Sequence, residues 1–386
     1  MKTAALCCLS LPLIFGTMLT AQAPGPCLGV SKTTYVNWPQ FHSDLCHTGY
    51  NASESILSPA TVGNMVIDWT YRSGDDGYSS PVVANGILYF GTDYGNVYAL
   101  NAATGAVLWN YAAIYPVVSA PAVVNGVVYV ASYFDVYALD AATGTKLWSF
   151  NTTYPVISSP AVANGIIYFG CDDYNFYALD AATGTKLWSF TSSDVDGSPA
   201  VVNGVVYFGS ADNNVYALNA ATGAKLWSYK TGDGVFSSPA VANGVVYIGS
   251  FDYNVYALNA TTGAKLWSYT AENFVVSSPA VANGVVYVGS EGFEDGKIYA
   301  LDASTGATLW SYTTGRSVTS SPAVANGVVY VGSDDGNIYA LNAATGAKLW
   351  SYTTGNFVQS SPAVANGVVY AASDDHNLYA FHLPGH

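Results

Sequence analysis

The stretch S-P-A-V-A-N-G-V-V-Y-V-G-S from Ser321 to Ser333, followed by Y-A-L-N-A-A-T-G-A-K-L-W-S-Y from Tyr339 to Tyr352, decides the fold. It returns about every 40 residues, eight times, and fills the chain from Trp69 to the C-terminus. A period of this size marks one supersecondary unit stacked many times. Each unit reads as four short strands. Asn-Gly follows the first, at Asn85, Asn125, Asn164, Asn203, Asn243, Asn283, Asn326 and Asn366, and is the strongest two-residue hairpin signal. The second strand, G-V-V-Y-V-G-S, is rich in β-branched and aromatic residues. A variable loop leads to the third strand, ending in Y-A-L. The turn N/D-A-A-T-G then leads to the fourth, K-L-W-S-Y. No stretch carries a sustained helical period. Four-stranded units of this length are propeller blades.

The markers give the blade number. The first-strand proline occurs at Pro81, Pro121, Pro160, Pro199, Pro239, Pro279, Pro322 and Pro362. The fourth-strand tryptophan also occurs eight times, but it starts before the first proline, at Trp69, and ends at Trp350. The last repeat stops after Tyr379 without its own tryptophan. Residues 66–71 are therefore expected to supply the missing outer strand of the last blade. The expected architecture is all-β, an eight-bladed propeller over 66–386, with no exposed seam.

Composition narrows the function classes. The 386 residues carry 25 Asp+Glu against 11 Lys+Arg, a net charge of −14. Nucleic acids and anionic membranes need basic patches, so neither is an expected partner. Residues 1–23 read as a secretory signal: Lys2, an apolar stretch from Ala4 to Leu19, and Ala21-Gln22-Ala23 as a cleavage site. The apolar run is short for a membrane span. The expected location is secreted or periplasmic, with residues 24–65 forming an N-terminal cap. Of the cysteines left after cleavage, Cys27 and Cys46 are available to form a disulfide that pins this cap, and Cys171 reads as a small core residue.

The consensus P-A-V-A-N-G-V-V-Y-V-G-S, D-G-x-x-Y-A-L-x-A-x-T-G and K-L-W resembles the pyrroloquinoline-quinone (PQQ) repeat. The lead-in Trp38-Pro39-Gln40-Phe41-His42-x-Asp44 and His47-Thr48-Gly49 resembles the segment that precedes such propellers. The resemblance implies an eight-bladed fold and leaves function open. The group holds quinoprotein dehydrogenases and also the scaffold lipoprotein of the outer-membrane β-barrel assembly machinery. The enzymes place a disulfide between adjacent cysteines over the cofactor; the adjacent pair here, Cys7-Cys8, lies in the signal segment. The enzymes also carry insertions, whereas proline spacing here is 39 or 40 with one of 43. PQQ carries three carboxylates and wants cationic partners, yet the repeats hold two arginines, Arg72 and Arg316.

Loops joining strand two to three, and blade to blade, share one face. These variable loops are where binding is expected. The candidates are Asp93, Tyr94, Tyr133, Phe134, Asp173, Tyr174, Asp252, Tyr253, Phe293, Glu294, Asp295, Arg316, Asp335 and Asp375. An alternative is that Asp and Gly there simply make tight turns. The repeated Trp and Tyr read as packing residues. No catalytic residue stands out from the repeat, and the five histidines form no metal-ligand pair at convincing spacing; His42 and His47, flanking Asp44 and Cys46 in the cap, read as packing residues, with metal binding by that cluster as the alternative. The expected function is a monomeric, non-catalytic binding or scaffold propeller that takes a protein or a small ligand or glycan. No cofactor is expected; a quinoprotein that uses PQQ, with or without calcium, and a glycan-binding propeller are the alternatives.

Overall fold

The computed structural model describes residues 37–74, 79–292 and 294–385. Eight antiparallel four-stranded sheets follow one another along the chain. Blade 2 is typical: Ala122–Val124 innermost, then Val127–Ser132, Asp135–Asp140 and Lys146–Asn151 outermost. The Asn-Gly hairpins take the form expected of them, with both residues left-handed (Asn125 φ 51°, Gly126 φ 78°). The outermost strands of blades 1 to 7 bulge at their leucine: Lys146 pairs with Leu139 and Trp148 with Ala138, so Leu147 is skipped and faces solvent; in blade 8 the skipped residue is Asp68.

Blade 8 is built from both ends of the chain. Val66–Arg72 pairs antiparallel with Asn377–His382, Trp69 opposite Ala380 and Thr70 opposite Tyr379. The expected closing strand is present and runs one residue further than expected.

Neighbouring blades are joined through single carbonyl groups. The first alanine of each A-A-T-G turn accepts two hydrogen bonds from the preceding blade. Ala141 accepts from Tyr89 Oη (3.2 Å) and Trp109 Nε1 (3.0 Å); Ala260 accepts from Tyr207 (3.1 Å) and Trp227 (2.9 Å). The two lone pairs of one carbonyl are thereby filled. The turn glycine is pressed on the same tryptophan: a Cβ on Gly144 would lie 2.7 Å from the Trp109 ring, and its φ is +71°. The seam between blades 7 and 8 differs, because the chain termini stand where the eighth turn would be. Met65 takes over as acceptor for Trp350 Nε1 (3.1 Å). Tyr330 Oη, equivalent to Tyr207 Oη, is buried there without a partner.

A second belt runs close to the axis. The residue before each first-strand proline gives its N–H to the serine hydroxyl at the same position in the next blade: Ala120 to Ser159, Ser159 to Ser198, and on through Ser238, Ser278, Ser321 and Ser361 to Ser80. Ala120 has no hydroxyl, so the link from Ser80 is the one the sequence leaves out.

The segment expected as a cap threads the axis. Innermost strands offer their free edges to the channel, and residues 38–51 fill that edge. Val83 gives its N–H to Trp38, Val123 to Pro39, Val201 to Leu45, Val241 to Cys46, Val281 to Thr48 and Val324 to Gly49 (2.7–2.8 Å). Tyr50–Asn51 adds a parallel strand to blade 7, and Asn51 Nδ2 donates to Val364 of blade 8. Gly49 has no room for a side chain: a Cβ would lie 2.7 Å from Ala280 Cβ. Beyond it, Glu54 Oε2 accepts from Gly367 N–H and Leu57 O from Asn326 Nδ2, tying down the hairpins of blades 8 and 7. Cys46 is buried and disulfide-bonded; Cys27, its expected partner, lies outside the described residues, as does the signal segment. Cys171 is free and buried in the core between blades 2 and 3.

The seam yields a contrast. Tyr207→Phe removes a satisfied buried bond and is expected to cost about 1 kcal/mol. Tyr330→Phe removes an orphaned hydroxyl and is expected to leave stability unchanged or raised. Denaturant midpoints of the two variants check both signs.

Candidate functional site

The axial segment closes the hairpin end of the channel, so the variable-loop face is the open one. Among the described residues, seventeen of the 23 carboxylates lie in or at the ends of its loops, against Arg72, Lys230, Lys297 and Arg316. The opposite face carries the repeated turns and the lysines of the outermost strands.

Several of the candidate aspartates are held by the fold. Asp173 Oδ2 accepts from Tyr177 Oη at 2.5 Å, and its Oδ1 accepts from the backbone N–H of Asn175 at 3.0 Å. The same D-x-N-x-Y geometry recurs at Asp212, Asp252, Asp335 and Asp375, with Tyr Oη 2.6 Å away in each. Asp252, Asp335 and Asp375 also accept from the backbone N–H of Gly232, Gly315 and Gly355. Burial pushes the Asp252 carboxyl up, but Tyr256, Gly232 and Asn254 together hold it below its ordinary value. These carboxylates brace the loops, and the D-x-N-x-Y spacing that reveals it is visible in the sequence. Glu294 and Asp295 lie in the three-residue insertion of blade 6; Phe293 lies outside the described residues.

The aromatic candidates behave differently. Tyr94 is 68% exposed, Tyr174 57% and Tyr253 40%. Tyr174 and Tyr253 also have left-handed backbones, φ 67° and 69°, at the loop position where blades 1 and 7 place Gly95 and Gly336. A bulky residue there costs on the order of 1 kcal/mol. Packing does not explain Tyr174. Tyr253 ends an aromatic ladder: Phe236 on Phe251 (4.5 Å), Phe251 on Phe274 (4.9 Å), Phe274 stacked on Tyr253 (4.9 Å, 11°). A second group joins Tyr115 to Phe134 (4.8 Å) and Phe134 to Tyr133. Ile114, 78% exposed beside Tyr115, carried no repeat-breaking signal beyond its position and was not among the sequence candidates. Arg316 lies over the Phe357 ring at 5.8 Å, in an open cavity of about 410 Å³ that Asp334, Asp335 and Asn356 also line.

Two interblade pairs mark the mouth of the channel. Gln359 Nε2 donates to Asp334 Oδ1 at 3.2 Å. Four blades away round the ring, the equivalent positions are Asp172 and Asp196, with Asp194 beside them. Burial first, then the Asp172 charge, a hydrogen bond to it and the Asp194 charge, push the Asp196 carboxyl up to about 7. Each of these two carboxyls disfavours ionisation of the other, so both are pushed up. Among the described residues, no group of three or more His, Cys, Asp or Glu gathers as a metal-ligand set, and no helix is long and apolar enough to cross a membrane.

The fold and loop face define a PQQ-repeat propeller. The family described as outer membrane protein assembly factor BamB matches residues 60–135, 132–237, 212–315 and 294–383, and the chain belongs to it. Solved structures of the same fold include a quinohemoprotein alcohol dehydrogenase from Pseudomonas putida, with 18% identity over 91% of this chain and 81% of that one and a TM-score of 0.79. A europium-containing methanol dehydrogenase has 16% identity over 90% and 98%, with a TM-score of 0.78. BamB from Moraxella catarrhalis has 20% identity over 83% and 98%, with a TM-score of 0.71. No curated protein matches the chain. At these identities the structures share a fold.

The residues at the mouth do not suit PQQ. The position after the second strand is Asp93, Tyr133, Asp172, Ala211, Phe251, Glu291, Asp334 and Asp374 in blades 1 to 8. Five of the eight are acidic, and Arg316 is already shared between Phe357 and Asp334. A tricarboxylate would be repelled there.

The raised Asp196 carboxyl has a measurable consequence. Asp196 binds its proton more tightly in the folded protein than in the unfolded one, so stability falls as pH rises from about 4 to about 7. Asp196→Asn removes the penalty. It is expected to raise stability on the order of 1–2 kcal/mol at pH 8, with the gain vanishing near pH 4, as thermal melts across that range will show.

Proposed function

We propose that the protein is a secreted or periplasmic, non-catalytic binding propeller whose variable-loop face receives a protein partner. The observation that carries this reading is the pair Tyr174 and Tyr253. Each is exposed on a left-handed backbone where glycine would be easier, so each costs stability that a contact outside the chain would recover. Tyrosine offers large contact area at low entropic cost, and the surrounding carboxylates steer and orient. Membership of the BamB family supports the scaffold reading. The quinoprotein neighbours support an enzyme as the second reading, and the acidic mouth weighs against it. The glycan reading has no observation of its own beyond the exposed aromatic rings.

Tyr174→Gly and Tyr253→Gly are expected to raise stability by about 0.5–1 kcal/mol each, while the double variant loses at least about tenfold in affinity for a protein retained by the wild type from a native envelope extract. Unchanged capture by the double variant would place the contact surface elsewhere. Added PQQ and calcium are expected to give neither dye-linked alcohol oxidation nor a change in PQQ absorbance; either signal would favour the enzyme.

A further inference from the structure

The axial segment holds two histidines that the loop-face reading does not use. His42 and His47 are each 2% exposed, with ring centroids 6.4 Å apart and planes at 76°. Left-handed backbone at His42, Ser43 and His47 (φ 51°, 74° and 52°) coils the segment so that the rings meet. Phe41 covers both, stacked on His42 at 4.5 Å and edge-on to His47 at 5.4 Å.

Backbone carbonyls fix the tautomers. His42 Nδ1 lies 3.4 Å from the His47 carbonyl and donates to it. The His47 ring donates to the carbonyl of Pro239, at the entry to the innermost strand of blade 5. The remaining nitrogens, His42 Nε2 and His47 Nδ1, are therefore lone pairs, and both are buried without any hydrogen-bond partner. Desolvation keeps the rings neutral, pulling His42 to about 4 and His47 to about 3. An imidazole that donates one N–H to a carbonyl and presents its other nitrogen bare is the arrangement of a metal ligand with its outer shell in place.

We propose that the axial segment encloses a two-imidazole site for one cuprous ion, held between His42 Nε2 and His47 Nδ1. The donor count selects the ion. Zinc wants four donors and calcium or magnesium wants oxygens, and among the described residues no third His, Cys, Asp or Glu joins the pair. Asp44 is occupied by the N–H groups of Cys46 and Thr48 and the Thr48 hydroxyl, and Cys46 is disulfide-bonded. Copper accepts imidazole readily, and its monovalent ion is content with two nitrogens in line. A metal–nitrogen distance of about 2 Å on each side puts two in-line imidazole centroids roughly 6 Å apart, close to the 6.4 Å found. The site is sealed by the inner strands, so the ion enters as the segment folds into the channel.

The test is to refold the full chain anaerobically with Cu(I) and dialyse it against bathocuproine disulfonate. The wild type is expected to keep one copper per chain, with an X-ray absorption spectrum of nitrogen scatterers and no sulfur, and to melt higher than protein refolded without copper. His42→Gln and His47→Gln are each expected to retain at least about tenfold less copper. If a variant does not fold, an anomalous copper peak between the two nitrogens in a crystal of the wild type decides the matter instead. Folded wild type that keeps no copper, retention unchanged in folded variants, or a water at that position in copper-refolded crystals would overturn the proposal.

Discussion

One backbone carbonyl per blade carries the ring. The alanine that opens each A-A-T-G turn accepts a tryptophan N–H and a tyrosine hydroxyl from the blade before it, as Ala141 does from Trp109 and Tyr89. Two large aromatic side chains are thereby buried between sheets with their polar ends satisfied. The turn glycine lets the tryptophan lie flat against the backbone. Repeated round the axis, this contact fixes the angle between blades and explains why the motif changes so little. The seam shows its cost when incomplete: Met65 replaces one bond, and Tyr330 is left without one.

The axial segment does for the centre what that carbonyl does for the periphery. Innermost strands would otherwise turn unpaired N–H groups toward a channel. Trp38, Pro39, Leu45, Cys46, Thr48 and Gly49 supply the missing acceptors in order round the axis. With that end filled, the open end of the ring is the loop face, where most carboxylates gather. Many of those carboxylates are bracing struts, as the Asp252–Tyr256 bond illustrates. What distinguishes blades from one another is the aromatic set: Tyr174 and Tyr253 on strained backbone, the Phe236–Phe251–Phe274 ladder, and Ile114.

The sequence by itself determined the all-β class, the eight blades, the Asn-Gly hairpins and the closing strand from Val66, because each rests on local turn chemistry or on counting a period. It also contained the D-x-N-x-Y brace, although the aspartate there reads equally well as a binding residue until its hydrogen bonds are seen. Only the tertiary structure decided the path of residues 38–51, since their partners are backbone groups of strands up to 313 residues away in the case of Asn51 and Val364 and carry no side-chain signature. The same holds for the orphaned Tyr330 hydroxyl, which is identical in sequence to its seven satisfied equivalents, and for the mutual repulsion of Asp172 and Asp196, which neighbouring blades bring together. The bare nitrogens of His42 and His47 belong here too: the sequence places both in one cluster with Asp44 and Cys46, but left-handed backbone inside a filled channel decides that the rings meet and leaves those nitrogens without partners. Repetition fixes what is local and periodic; what happens once, at the seam, the axis and the mouth, depends on which non-repeating groups the closed ring forces into contact.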